Sequence, residues 1–272
     1  MHGRVLVIAG SDSGGGAGIQ ADIKTITAFG AYAATATTTL TAQNTLGVHA
    51  VHIVPPDFVG RQIAVVLDDI GADVVKTGML GDAATVEVVC DALTRHVERL
   101  PVVVDPVMVA TTGARLLAPD ALAMLKRRLL PLASVITPNL PEAEALAGMA
   151  IPDVAAMERA ARALLALGVP AVLLKGGHLP GDQVVDLLAT VDGVEAFVAP
   201  RIASRHTHGT GCTLASAVAA GLAQGAGLRA AVVRARHYVR AAIAAAPGFG
   251  AGHGPLNHAV GMRIDLPTHA SG

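Results

Sequence analysis

Short, uninterrupted apolar runs recur along the chain, most of them closed by a polar or small residue and followed by a segment with helical spacing. Residues 4–9, 48–54, 73–76, 102–104, 134–136 and 171–174 read as strands. Residues 19–29, 56–70, 83–96, 119–129 and 155–167 read as helices, the third with Val86, Val89, Leu93 and Val97 on one face. Runs this apolar must be covered on both sides, so the alternation predicts an α/β fold: a mainly parallel sheet with helices on each face. Residues 184–189 and 195–198 flank Asp192-Gly193, a hairpin signal. Two Ala-rich helices follow at 210–224 and 229–246, and the Gly-, His- and Pro-rich tail after Gly248 reads as irregular. No internal repeat or linker divides residues 1–272, so one domain is expected.

A chain of 272 residues can bury a large core. Hydrophobic residues make up 52% of it but aromatics only 2%, so that core must be built from Ala, Val, Leu and Ile. Twenty basic residues face 21 acidic ones, for a net charge of −1. Neither the charge nor the few aromatics suit nucleic acid. Gln224 and Arg229, then Arg234, Arg236 and Arg240, break up the apolar C-terminal region, and no run reaches the ~18 apolar residues of a membrane span. The two cysteines form no disulfide framework, and the first ten residues make too short an apolar run for a secretory signal, so a cytoplasmic location is expected.

Parallel sheets bind ligands at the carboxyl ends of their strands. The polar residues gather there: Ser11, Asp12 and Ser13; Lys76 and Thr77; Asp105; Asn139; Lys175. Only four of the 20 basic residues are Lys, and two of those four, Lys76 and Lys175, stand at strand ends. The segment GSDSGGGAGIQAD (10–22) is neither a P-loop nor G-x-G-x-x-G, yet its glycines let backbone approach a ligand, and Asp22 lies one helical turn further on. The segment HTHGTGCT (206–213) leads into an Ala-rich helix, so residues 207–213 place several backbone N–H groups at a helix N-terminus and offer an anion site, although ordinary helix capping explains the same residues. Cys212 in that first turn is expected to have a lowered pKa, while Cys90 reads as a structural thiol. Asn139 and Glu142 supply hard oxygen donors suited to Mg²⁺, but they also suit a helix cap. A zinc site built from His206, His208 and Cys212 with His253 or His258 lacks a closed ligand spacing. No G-x-S-x-G elbow is present.

The segments AGSDSGGGAGIQAD (9–22), TLTAQNTLGV (39–48), KTGML (76–80), DPVMVATTGARLL (105–117), ITPNLPEAEAL (136–146), LLKGGHL (173–179), RHTHGTGCTLASAVAAGLA (205–223) and GHGPLNH (252–258), in this order, resemble the bacterial hydroxymethylpyrimidine/phosphomethylpyrimidine kinases. The resemblance spans residues 4–259, and a chain of this length is expected to lack the thiamine-phosphate synthase domain sometimes fused to such kinases. It implies a ribokinase-like three-layer αβα sandwich that uses ATP and Mg²⁺ in thiamine biosynthesis, as a homodimer. The substrate would be an aminopyrimidine alcohol and then its phosphate. Gln43 would hydrogen-bond the ring, with Gly10, Met79 and Val107 around it and Asp22 near the hydroxymethyl group. Lys175 would approach the nucleotide phosphates. Asn139 and Glu142, with Asp105 nearby, would organise Mg²⁺ through water. Gly209, Thr210, Gly211 and Cys212 would form the anion hole, Cys212 replacing the aspartate base of the wider superfamily. Arg236 stands where many members have a lysine, as a candidate phosphate clamp. A pyridoxal kinase and a non-catalytic pyrimidine-binding protein are the alternatives. Gln43 and the GHGPLNH tail speak against the first, and intact Asn139, Glu142, Lys175 and Cys212 against the second.

Overall fold

In the computed structural model, which describes residues 1–96, 100–109 and 116–262, all nine strands join one sheet. Its order is β3-β2-β1-β4-β5-β6-β7-β8-β9. The strands are β1 (Arg4–Asp12), β2 (Tyr32–Asn44), β3 (Gly47–Ile53), β4 (Val74–Thr77), β5 (Val102–Val104), β6 (Val135–Ile136), β7 (Ala171–Leu174), β8 (Gln183–Thr190) and β9 (Gly193–Pro200). From β2 to β7 every neighbouring pair is parallel. β3 at one end, and β8 and β9 at the other, run antiparallel to their neighbours.

The side-chain period of two in β1 explains why both faces must be covered. Leu6 and Ile8 join an apolar cluster on one face, and Val5, Val7 and Ala9 join a second on the other. The first cluster is completed by α2 (Pro56–Asp69), α3 (Ala83–Thr94), α4 (Pro119–Met124), α5 (Leu140–Ala147) and α6 (Val154–Leu165). The second is completed by α1 (Gly18–Ala28), α7 (Thr210–Ala223) and α8 (Leu228–Ala244). Every residue of α7 from Thr213 to Gly221 is buried, as its near-absence of charge requires.

Two stretches differ from the sequence reading. The longest strand, β2, has 13 residues and no expected counterpart. Its inward positions Ala34 and Ala36 are small and alternate with Thr, so the alternation carries little hydrophobic contrast. The helix expected over 119–129 is α-helical only to Met124, then widens into a π turn at Leu125–Leu129 and tightens into a 3₁₀ turn at Leu130–Leu132. Pro131 has no N–H to continue the ladder there. Val97, assigned to the face of the third predicted helix, and residues 110–115 of the DPVMVATTGARLL segment lie outside the described residues. Among the described residues, no helix is long and apolar enough to cross a membrane.

Candidate active site

The carboxyl ends of the parallel strands open into a cavity of about 910 Å³. It is bordered by Asp12, Lys76, Asp105, Asn139 and Lys175, each at or just past a strand end.

The two glycine-rich segments form one interlocked structure. Asp12 turns back on the loop that follows it: Oδ1 accepts from the Gly14 N–H at 2.8 Å, and Oδ2 from Gly16 at 3.0 Å and Ala17 at 2.8 Å. His208 Nε2 reaches the same Oδ2 at 2.9 Å. Burial works against the Asp12 charge, but His208 and these amides outweigh it and hold the carboxyl below its ordinary value. Gly209, with φ +82°, packs against the loop so closely that a Cβ there would lie 1.8 Å from Gly16 O. The tail docks beside them, with His208 N–H donating to Gly254 O at 3.2 Å and His253 N–H to Thr45 O at 2.9 Å.

Below this loop lies a buried charge network. Lys76 Nζ, fully enclosed, contacts both Asp22 oxygens at 2.9 and 3.0 Å, and Ser216 Oγ donates to Asp22 at 2.6 Å. Asp22 therefore does not line the cavity as expected; Lys76 stands there instead, with Asp22 behind it. Burial favours the neutral lysine, yet Asp22 leads a set of negative neighbours that raises the Lys76 pKa. Cys212 lines the cavity beside this network, but its pKa runs opposite to the sequence expectation. Burial pushes the thiol up to about 12; Lys76 pulls it down, while Asp22 and Asp105 push it further up. The helix N-terminus does not overcome the loss of solvent.

A second network sits at the ends of β5, β6 and β7. Lys175 Nζ is 3.0 Å from Asp105 Oδ1, which also accepts from Thr137 Oγ1 at 3.0 Å. Asp105 and Glu142 overcome burial and raise the Lys175 pKa, so the ammonium stays charged. Asn139 caps α5: its Oδ1 accepts from Glu142 N–H at 2.9 Å, and Glu142 Oε2 accepts from Asn139 N–H at 2.8 Å. Burial pushes the Glu142 carboxyl up to about 7 against the pull of Lys175. Asn139, Glu142 and Asp105 all border the cavity and offer only oxygen, the donor type magnesium takes. Because they already bond one another or Lys175 and Thr137, the set fits a hydrated ion held through water rather than one enclosed by protein.

Gln43, Met79, Val107 and Gly10 line the cavity together, along with Gly209, Thr210 and Gly211 at the start of α7. The first turn of α7 leaves the Gly211 and Cys212 amides without intrahelical acceptors, since Thr213 N–H makes the first such bond, to Gly209 O. Arg236 also borders the cavity but is committed elsewhere. Its Nε donates to Asp186 at 2.7 Å, its second nitrogen Nη2 to Phe197 O at 2.9 Å, and it lies 5.2 Å over the Phe197 ring. Asp186 in turn accepts from Gly176 N–H at 3.0 Å, so Arg236 braces the turn after Lys175 rather than standing free for a phosphate. The sequence reading missed Asp186, Ser216 and the part His208 plays. Asp12 and His208 are 196 positions apart, and no local spacing announces that pair. Two histidines of the candidate zinc set are bonded apart, His208 to Asp12 and His258 to Thr213.

Residues 12–257 match the sequence model of the family described as phosphomethylpyrimidine kinase. The chain is similar to the thiamine biosynthesis bifunctional protein ThiED of Geobacter sulfurreducens, 55% identical over 94% of this chain and 52% of that protein, so it spans about half of that relative's length. It is also similar to the hydroxymethylpyrimidine/phosphomethylpyrimidine kinase of Rhizobium meliloti, 51% identical over 95% of this chain and 97% of that one. Its fold is similar to that of an ADP complex of Bacillus subtilis pyridoxal kinase, with a TM-score of 0.87 at 37% identity, covering 95% of this chain and 98% of that one.

Proposed function

The chain belongs to the phosphomethylpyrimidine kinase family, and from that premise we propose that it phosphorylates an aminopyrimidine alcohol and then the resulting monophosphate. It is a phosphotransferase, and ATP is the donor. The first acceptor is the hydroxymethyl group of 4-amino-5-hydroxymethyl-2-methylpyrimidine, and the product of the second round is the diphosphate used in thiamine biosynthesis. The domain covers residues 1–272 as a three-layer αβα sandwich, and the protein works in the cytoplasm as a homodimer.

The observation that carries this reading is convergence. Charged Lys175 and the free amides of α7 border the same cavity as the Gln43, Met79 and Val107 corner. In each round the acceptor oxygen attacks the γ-phosphorus, a new P–O bond forms, and the bond to the bridging oxygen breaks as ADP leaves; in the alcohol round the hydroxyl proton passes late to a phosphoryl oxygen and from there to water. Phosphoryl transfer passes through a loose transition state in which charge spreads over the equatorial oxygens, so positioning and charge stabilisation do most of the catalysis. Lys175 and the free Gly211 and Cys212 amides meet that charge, while the Thr210 N–H is given to Thr207 O. Asn139, Glu142 and Asp105 would hold Mg²⁺ through water, and the ion would neutralise the nucleotide phosphates. Cys212, protonated in the free protein, orients the acceptor oxygen rather than removing its proton beforehand.

The test is ATP consumption measured with hydroxymethylpyrimidine, its monophosphate and pyridoxal in parallel, each with and without a chelator. Turnover of both pyrimidines that collapses in chelator is expected. Faster turnover of pyridoxal than of either pyrimidine would reassign the substrate, and full activity in excess chelator would remove the metal.

A further inference from the structure

Two side chains at the ring-recognition corner meet at one atom. His208 Nε2 lies 2.9 Å from Asp12 Oδ2 and 3.1 Å from the terminal amide of Gln43. Asp12 also gathers the N–H groups of Gly14, Gly16 and Ala17, so it is an ionised carboxylate and can only accept. His208 Nε2 must therefore carry a hydrogen. Gln43 Nε2 is the amide atom nearest His208 Nε2, but a nitrogen that donates to Asp12 cannot also accept from an NH₂ group; a half-turn of the amide sets its oxygen there instead, sharing the one Nε2 hydrogen with Asp12. The other end of the amide is 3.3 Å from Thr41 Oγ1. The Thr41 hydroxyl gives its one hydrogen to Ser11 O at 2.9 Å, which leaves its oxygen free to accept from the Gln43 NH₂. A half-turn about the last bond of Gln43 exchanges the two ends without moving other groups, and only one of the two settings satisfies every proton.

We infer that His208 is a positioning residue for substrate choice: it fixes the direction in which the Gln43 amide faces, and so the order in which a ring edge must present its hydrogen-bonding groups. The inference rests on the reading of Gln43 as the ring contact. The locked amide keeps one oxygen lone pair and one N–H for the cavity that Gln43 lines. Together they accept from an exocyclic amine and donate to the adjacent ring nitrogen, the edge of a 4-aminopyrimidine. The 4-oxo counterpart presents a carbonyl and a ring N–H in the same places, the inverse order, and sets oxygen against oxygen. His208 is held firmly enough to impose this. It is 8% exposed, its N–H donates to Gly254 O, and its ring packs so tightly on the loop that a Cβ at Gly16 would lie 2.6 Å from Cδ2.

A histidine that merely ties the loop together would leave ring choice unchanged on removal, and this separates the two roles. The experiment is calorimetric titration of the 4-amino and 4-oxo pyrimidine alcohols into wild type, His208→Leu, His208→Gln and Gln43→Ala, with a non-hydrolysable ATP analogue as control. A glutamine at this position can hold an N–H near the place of Nε2–H. Wild type should prefer the amino compound by at least roughly tenfold, His208→Leu by less than about threefold, and His208→Gln should recover most of the preference. Affinity for the ATP analogue should stay within about twofold throughout. An unchanged preference in His208→Leu overturns the inference. If Gln43→Ala keeps the wild-type preference, Gln43 does not read the ring, and the underlying reading fails instead. Imidazole ¹⁵N spectra of the wild type provide a check that needs no variant: hydrogen on Nε2 is expected, and a His208 protonated on Nδ1 alone overturns the inference.

Discussion

At Cys212 the first turn of α7 and the surrounding protein pull the thiol in opposite directions, and burial prevails, pushing it up to about 12. The free protein should therefore alkylate slowly at this residue. The rate should rise about tenfold per pH unit without a plateau below pH 9, since the thiolate fraction grows that way far below the pKa. Mass spectrometry of time points across pH checks this, and a plateau near pH 7 would restore the thiolate. Catalysis should follow the same logic. Cys212→Ala should slow both rounds to a similar extent, and Cys212→Ser should recover much of the loss, because a hydroxyl can orient the acceptor as a thiol does. A base role would predict a loss of about 10²–10⁴-fold confined mainly to the alcohol round. Glu142 caps α5, and under the proposed function it would also help hold magnesium, two duties that substitution can separate. Glu142→Gln keeps the oxygen that accepts from Asn139 N–H, so its melting temperature should stay close to wild type while turnover at low magnesium falls. Glu142→Ala loses the cap as well and should cost about 1 kcal/mol in a denaturant melt. Equal metal dependence in Glu142→Gln and wild type would leave Glu142 with the capping duty only.

Among the elements, α7 is held from behind by the tail. Thr213 Oγ1 lies 2.9 Å from His258 Nε2, and Tyr238 Oη donates to the His258 carbonyl at 2.6 Å. Burial, aided slightly by Lys24, depresses the His258 pKa to about 4 from an ordinary value of 6.5. The unfolded chain then binds the proton more readily than the native one, so stability rises with pH across this window. The contribution is complete above pH 6.5 and is lost as pH falls from 6.5 to 4, by about 3 kcal/mol in all. Urea melts from pH 7.5 to 4.5 should show His258→Gln losing less stability than wild type over that range; parallel curves would contradict it. How readable such elements were depended on contrast. β5 and β7 match their expected limits residue for residue, because Val102–Val104 and Ala171–Leu174 are apolar throughout. β2 was not legible, because its buried side chains are Ala and Thr and differ little in hydropathy from its exposed ones. At the site, the strand-end residues Asp105, Asn139 and Lys175 were visible from position alone. The Lys76–Asp22 pair and the committed Arg236 were not, because each depends on which carboxylate lies across the fold.

For the whole molecule, assembly turns on the exposed end of the sheet. Of the two Ala-rich helices, α7 is buried along most of its length and α8 packs against it. β3 is different. It closes one end of the sheet, and the sequence GVHAVHI contains no Lys, Arg, Asp, Glu or Pro. Exposed edge strands are normally guarded by such residues, because their free N–H and C=O groups would otherwise recruit another chain. Apolar side chains are exposed on both faces of the β2–β3 ribbon. Leu40 is 48% exposed opposite His52, while Val51 and Ile53 stand opposite Thr41 and Thr39 at 45% and 41% exposure. A second copy of this chain bound through β3 would bury these groups in a two-fold, self-complementary contact. The cross-strand register puts Val51 on the same side as Thr41 and Gln43, so that contact would border the ring-recognition corner. Light scattering should therefore give wild type twice the chain mass, and the double variant Val51→Lys with Ile53→Glu should run as a monomer. The monomer should bind the pyrimidine alcohol more weakly while keeping its affinity for the ATP analogue, because the proposed nucleotide side of the cavity lies at the ends of β5, β6 and β7, several strands away from β3. A variant that stays dimeric would move the interface away from β3. A variant that becomes monomeric with unchanged pyrimidine affinity would keep the interface there but uncouple it from the site.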